Sequence, residues 1–142
     1  VLADRKGDAL MLGTLPFAPK TLRVVMPWPD PKLNPNRSKG LHWAATSSAR
    51  AKQKSDARSL ALQQMRVDAY VPPPGTLALT ITFVQPDRRA RDRDNLLAAS
   101  KGLLDGLSQA LGVDDQHFDP VTIRRKFGAK PGSVIVEVSH AV

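Results

Sequence analysis

Between Pro86 and Asn95 the chain reads Pro86-Asp87-Arg88-Arg89-Ala90-Arg91-Asp92-Arg93-Asp94-Asn95, which packs three carboxylates and four guanidinium groups into ten residues. A second acidic pair, Asp114-Asp115, follows further on. Asp92 and Asp94 are two residues apart, so in extended backbone their side chains project to the same side. Carboxylates that close repel each other unless a cation lies between them. Arg88, Arg89, Arg91 and Arg93 would draw a polyanion to the same place. Hard oxygen donors beside arginines are what metal-assisted attack on a phosphodiester requires: the ion activates water and the basic groups hold the phosphate.

The later pair has its own logic. Asp114 and Asp115 stand just past a predicted helix C-terminus, where the macrodipole is negative and each carboxylate is disfavoured by roughly 0.3–1 kcal/mol. A positive partner, a metal ahead of surface arginines, is the expectation. The helix itself is read from about Asp94 to Leu111, with Gly112 as a left-handed cap. On its wheel Leu96, Leu97, Leu103, Leu104, Leu107 and Leu111 share one side, and Asp94, Lys101 and Asp105 run along the other. Two readings of that polar line are open. Lys101 and Asp105 can form a solvated i,i+4 pair worth a few tenths of a kcal/mol. Alternatively, Lys101 leans back toward Asp94, since long helical side chains point N-terminally.

The elements that must carry these residues are legible in part. Leu22-Arg23-Val24-Val25-Met26 reads as a strand stopped by the prolines at 27, 29, 31 and 35. A basic loop with Asn34, Asn36, Arg37 and Lys39 follows, then a helix from roughly Ser47 to Val67, ended by Pro72-Pro73-Pro74-Gly75. Leu77, Leu79, Ile81 and Phe83 alternate with Thr76, Ala78, Thr80 and Thr82, a half-buried strand that delivers the chain into the Arg/Asp loop. Val121–Lys126 and Ser133–Val138 form the last two strands, joined through Gly128 and Gly132. The order is β-α-β-α-β-β: a small single α/β (α+β) domain over residues 21–142, with a mixed sheet packed by two helices. Residues 1–20 have no clear period and read as an N-terminal extension.

Composition sets the class. The 142 residues are enough for one domain with a core of its own. Twenty-one Lys+Arg against 13 Asp+Glu give a net charge of +8, so nucleic acid is the leading partner, with an acidic membrane surface behind it. No cysteine is present, which excludes disulfides, thiolate nucleophiles and Cys-based zinc sites. The three histidines, His42, His117 and His140, match no histidine-rich metal motif. The apolar stretch Ala9–Leu15 is short, broken by Gly13 and Pro16 and preceded by Asp4 and Asp8; it reads as neither a signal peptide nor a membrane span.

Met26-Pro27-Trp28-Pro29 with Asn34, then Asp92-Arg93-Asp94-Asn95-Leu96, then Leu104-Asp105-Gly106-Leu107 and Asp114-Asp115, resemble the RusA family of Holliday-junction resolvases of phages and prophages. The likeness runs from about Leu22 to Val138. It implies a homodimeric, Mg²⁺-dependent endonuclease, with Mn²⁺ as a substitute, that nicks four-way DNA junctions symmetrically in the cytoplasm of a bacterial or phage-infected cell. It places the metal on Asp92, Asp94 and Asp115, with Asp114 as the alternate. The family's lysine, four residues after the second carboxylate, is replaced here by Ala98, and Lys101 lies one turn further along nearly the same face.

These lines join in one expected mechanism. Water attacks the phosphodiester, Lys101 stabilises charge on the phosphorane, and Arg37, Lys39, Arg88, Arg89, Arg91, Arg93, Arg124 and Lys126 hold the DNA backbone. Arg124 and Lys126 share one strand face and Arg125 the other, so the three cannot touch one duplex. Paired nicks on opposing strands need two sites related by a two-fold axis, hence a dimer. The competing expectation is a basic protein that binds branched DNA without cutting it, for which Ala98 is the sequence hint. A basic RNA-associated protein whose acidic loops serve as salt-bridge partners is the third.

Overall fold

Every second residue from Leu77 to Gln85 is buried, as the alternation in that segment demands. The computed structural model describes residues 21–38, 40 and 43–141. The N-terminal extension with its apolar stretch, Lys39 and His42 lie outside the described residues. Four strands, β1 (Leu22–Pro27), β2 (Leu77–Gln85), β3 (Phe118–Phe127) and β4 (Ser133–His140), form one sheet in the order β1-β4-β2-β3. β4 is antiparallel to both β1 and β2, whereas β2 and β3 run parallel. The domain is thus mixed α and β with a mixed sheet. No helix among the described residues is long and apolar enough to cross a membrane.

One face of the sheet makes the core. Leu22, Val24 and Met26 of β1, Leu77, Leu79, Ile81 and Phe83 of β2, and Val134, Val136 and Val138 of β4 are all 3% exposed or less. Each such side chain contributes about 1.5–3 kcal/mol by leaving water. The covering layer is α2 (Trp43–Asp68) and α4 (Lys101–Leu111), with the short α1 (Pro35–Ser38) and α3 (Arg93–Ala99) at the end where β2 finishes. α2 reaches four residues earlier than the expected Ser47. Its fully buried residues are Ala57 and Ala61, and Ala57 lies opposite Gly106 of α4. A Cβ on Gly102 would lie 2.8 Å from the Arg50 carbonyl oxygen. One on Gly106 would overlap the Lys54 carbonyl and lie 2.9 Å from the Ala57 Cβ. The two backbones approach closely because these positions carry no side chain.

The helix expected as one piece from Asp94 to Leu111 is two, and Ser100 is the break. Its backbone leaves the helical range at φ −106°, ψ 13°, and its fully buried hydroxyl donates to the Leu96 carbonyl at 3.0 Å. A serine hydroxyl competing for the carbonyl four residues back bends a helix. Leu104 N–H still donates to the Ser100 carbonyl at 3.1 Å, so α4 begins without an intervening loop. Gly112 ends α4 in the left-handed conformation at φ 70°, as expected.

β3 is an edge strand with little cover. Only Phe118 is buried and Ile123 partly so; Val121 and Phe127 are about half exposed. Its pairing sets Val121, Ile123 and Arg125 beside Leu79, Ile81 and Phe83 on the core face, and Arg124 and Lys126 beside Thr82 and Val84 on the outer face. The expected split of the three basic residues across the strand is what forms.

Candidate functional site

The loop leaving β2 is built around a carboxylate that the sequence reading left without a role. Asp87 accepts from the Arg89 N–H at 2.9 Å and Nη2 at 3.2 Å, and from Arg91 Nη1 at 2.8 Å and Nη2 at 3.3 Å. The Arg91 guanidinium, then the Arg89 backbone, hold its carboxyl well below the usual carboxylate range. Arg91 lies over the Trp28 ring at 5.4 Å, and Trp28 stands edge-on to Phe83 at 6.2 Å. Buried Gln85 donates to the Arg89 carbonyl at 3.0 Å, Arg125 donates to the Arg91 carbonyl at 2.8 Å, and Arg88 covers Phe127 at 4.8 Å. Much of the loop's positive charge is therefore tied into a clasp between β2 and the end of β3.

Asp92 and Asp94 are positioned by a helix cap rather than by strand alternation. Asp92 is the N-cap of α3, and its Oδ1 accepts from the Asp94 N–H at 2.9 Å. Asp94 occupies the first turn. The expectation of two side chains projecting together from extended backbone is corrected here: the chain turns helical between them, because an aspartate before a helical run satisfies an orphan N–H of the first turn.

α3 and α4 then carry the chain back along the sheet, which leaves Asp94 and Asp115 bordering one cavity. Asp94, Lys101, Asp105 and Asp115 line a single cavity of about 660 Å³, whose apolar floor includes Leu97, Leu104 and the exposed face of Val121. Asp105 and Asp115 also line a second cavity of about 690 Å³ with Asp114 and His117, so this carboxylate pair belongs to both. Asp114 precedes a 3₁₀ turn, Asp115–His117, and its backbone carbonyl accepts the His117 N–H at 3.0 Å, while its side chain makes no cap bond. Both late aspartates are exposed to water. Lys101 points forward: its Nζ lies 3.0 Å from Asp105 Oδ1, the i,i+4 pair of the first reading.

The donor set around the first cavity is entirely oxygen and open to solvent, which suits a hard divalent ion. No three His, Asp or Glu side chains among the described residues close around one point. Mg²⁺ does not require such a cage, because it commonly keeps several waters and takes one or two carboxylates plus a substrate phosphate. Asp94 and Asp115 both line the cavity, and Asp92 is not among the lining residues.

The basic residues divide into three groups. Arg37, Arg89 and Arg91 converge on a small cleft beside α3. Arg89, Arg91, Arg93 and Lys126 line a shallower depression with Arg125 and Phe127. Arg124 points to the outer face, away from the acidic cavity. Asp105, Asp87, Trp28 and Asn95 were not assigned sites from sequence. Asp105 was visible as the last member of the polar line, four residues from Lys101. Asp87 carried no signal separating it from its acidic neighbours, because only folding shows which carboxylate the arginines choose.

No family model matches the chain. Over 95 residues it is 36% identical to a protein of Xylella fastidiosa (strain Temecula1) described as uncharacterized, a match covering 67% of this chain and 61% of that relative. The chain therefore spans less than two thirds of the length of the relative it matches.

Proposed function

We propose that the chain is a Mg²⁺-dependent, structure-specific DNA endonuclease of RusA type that acts as a homodimer and resolves four-way junctions by paired nicks. The observation that carries this reading is that Asp94, at the start of α3, and Asp115, after α4, line the same cavity. The β-α-β-α-β-β order, with its α3–α4 crossover between parallel strands, is read as RusA-like on the same footing.

Asp94 and Asp115 would hold the ion, with Asp92 at the neighbouring cap and Asp114 as the alternate to Asp115. When bound, the ion supplies an activated water and polarises the phosphate. Lys101 lines the same cavity and neutralises charge that develops on the phosphate oxygens; to do so its ammonium moves off Asp105, a rotation of an exposed side chain. The apolar floor limits the water that reaches the phosphate. Arg89 and Arg91 of the clasp hold the strand, their guanidinium groups already oriented by Asp87.

The test is incubation of the purified protein with a synthetic four-way junction and with a matched duplex, in Mg²⁺, Mn²⁺ or EDTA. Paired symmetric incisions in the junction alone, lost in EDTA, are expected. Junction binding with no incision in either metal supports the second reading, a branched-DNA binder without catalysis. The Lys101–Asp105 pair and Ala98 favour that reading, since together they leave the catalytic cation neutralised in the resting protein.

A further inference from the structure

A small cleft opens between α1, the Trp28–Pro31 turn and the first turn of α3, on the far side of that turn from the acidic cavity. Asn95 lines the cleft and its neighbour Asp94 lines the cavity. From these contents we infer that the cleft is a phosphate subsite that anchors one backbone phosphate of a nucleic-acid strand. Its nucleic-acid source rests on the function proposed above; its preference for phosphate rests on the cleft alone.

The cleft is rich in donors and short of acceptors. Arg37, Arg89 and Arg91 line it with Asn34 and Asn95. Against three guanidinium groups stand Asp30 in the lining and Asp87 behind it, which leaves one positive charge over. Asp87 neutralises Arg89 and Arg91 in part, while Arg37 has no ion-pair partner among the described residues. Asp30 accepts the Lys32 N–H on Oδ1 at 2.9 Å and remains the one carboxylate in the lining. Asn34 accepts the Asn36 N–H on its carbonyl oxygen at 2.9 Å, and its amide N–H groups have no partner among the described residues. Arg91, only 17% exposed in its side chain, is fixed by two bonds to Asp87 and by the Trp28 ring, so its geometry is set before any ligand arrives.

Size selects among anions. The cleft volume is about 140 Å³. At about 30 Å³ per water, that is room for roughly four or five waters, enough for a tetrahedral phosphate and well under the ~300 Å³ at which sites for larger organic ligands begin. A stacked base is disfavoured as well, because Arg91 already covers a face of Trp28.

Position argues for a strand rather than free phosphate. Cleft and acidic cavity flank one helical turn, and a helix with side chains is about 10–12 Å across. At about 3.4 Å per nucleotide along a strand, roughly three nucleotides bridge that distance. One phosphate held by Arg37 and Asn95 would place another, about three nucleotides along, at Asp94.

The experiment uses the full chain with Trp43→Phe, which leaves Trp28 as the single tryptophan reporter, in EDTA so that no cutting intervenes. Inorganic phosphate and a four-way junction are titrated separately, the junction at several salt concentrations, for this protein and for Arg37→Ala and Asn95→Ala. Both ligands are expected to change Trp28 emission, the junction at far lower concentration. Asn95→Ala should weaken junction binding about tenfold, the loss of a hydrogen bond to a charged group. Arg37→Ala should weaken it at least as much and flatten the log K against log salt slope by about 0.9. Unchanged slope and affinity in Arg37→Ala would overturn the subsite. Equal affinity for inorganic phosphate and junction would overturn the strand as its ligand. Junction binding that depends on Arg37 and Asn95 in a protein that cuts nothing would leave the subsite standing while removing the nuclease reading. Arg37 and Asn95 act from separate elements, so a folding defect in one variant, seen by circular dichroism, leaves the other as the test.

Discussion

The clasp at the end of β2 and the acidic cavity beside β3 use the same residue types to opposite ends. In the clasp, Asp87 is saturated by Arg89 and Arg91, and the loop is pinned to Gln85, Arg125 and Phe127. In the cavity, Asp94 and Asp115 face solvent and neither has an ion-pair partner among the described residues. The paired carboxylate sets the arginines around it, whereas the unpaired carboxylates are open to a ligand. The difference separates a carboxylate that orients arginines from carboxylates left open to solvent.

The largest expected effect falls on the cavity. Asp94→Asn and Asp115→Asn should each lower junction cleavage on the order of 10³-fold, with junction affinity in EDTA and thermal stability close to unchanged. Cleavage assays beside melting curves check this, and a variant that melts early while still cutting would invert the comparison. Lys101→Ala comes next, with a cleavage loss on the order of 10²-fold. Its ion pair with Asp105 is exposed and worth only a few tenths of a kcal/mol, so a measured stability loss well beyond that would assign Lys101 to structure.

Asp87→Asn should do the reverse: junction binding weakens because its arginines lose their orientation, and stability responds to acid. The Asp87 carboxyl is held below its ordinary range. Its contribution is therefore present above the unfolded-state value of about 3.9 and is lost as pH falls through the lower folded-state value. Melting temperatures of the native chain and Asp87→Asn should converge in strongly acidic solution; a constant gap down to that range would show that the clasp owes nothing to the charge. The smallest effect separates the sheet faces. Arg89→Ala should flatten the salt dependence of junction binding by about 0.9, whereas Arg124→Ala, on the outer face, should leave it unchanged.

The strands were legible because burial on one face leaves a period of two, and Leu77, Leu79, Ile81 and Phe83 carry it without interruption. The late helix was legible in its leucines and its Gly112 cap. Its break was not, because Ser100 is polar in sequence and fully buried in the fold, and only the Leu96 carbonyl explains it. Within the site, the types and spacing of Asp92, Asp94 and Asp115 invited a metal. Which of them share a wall depends on where α4 deposits the chain, and helix packing through Gly102 and Gly106 decides that. Arg37 and Asn95 line one cleft from distant segments, and no local pattern announces it.

Parallel pairing of β2 with β3 has a kinetic corollary. The two strands can zip together only after the whole α3–α4 crossover is in place, so their contacts carry a high loop-closure cost and form late. Because β3 is also the strand with least cover, its amides should exchange with deuterium faster than those of β4, through openings smaller than global unfolding. The arm that presents Asp115 is thus the part of the molecule most ready to let go, and the grip of a bound junction would be felt there first.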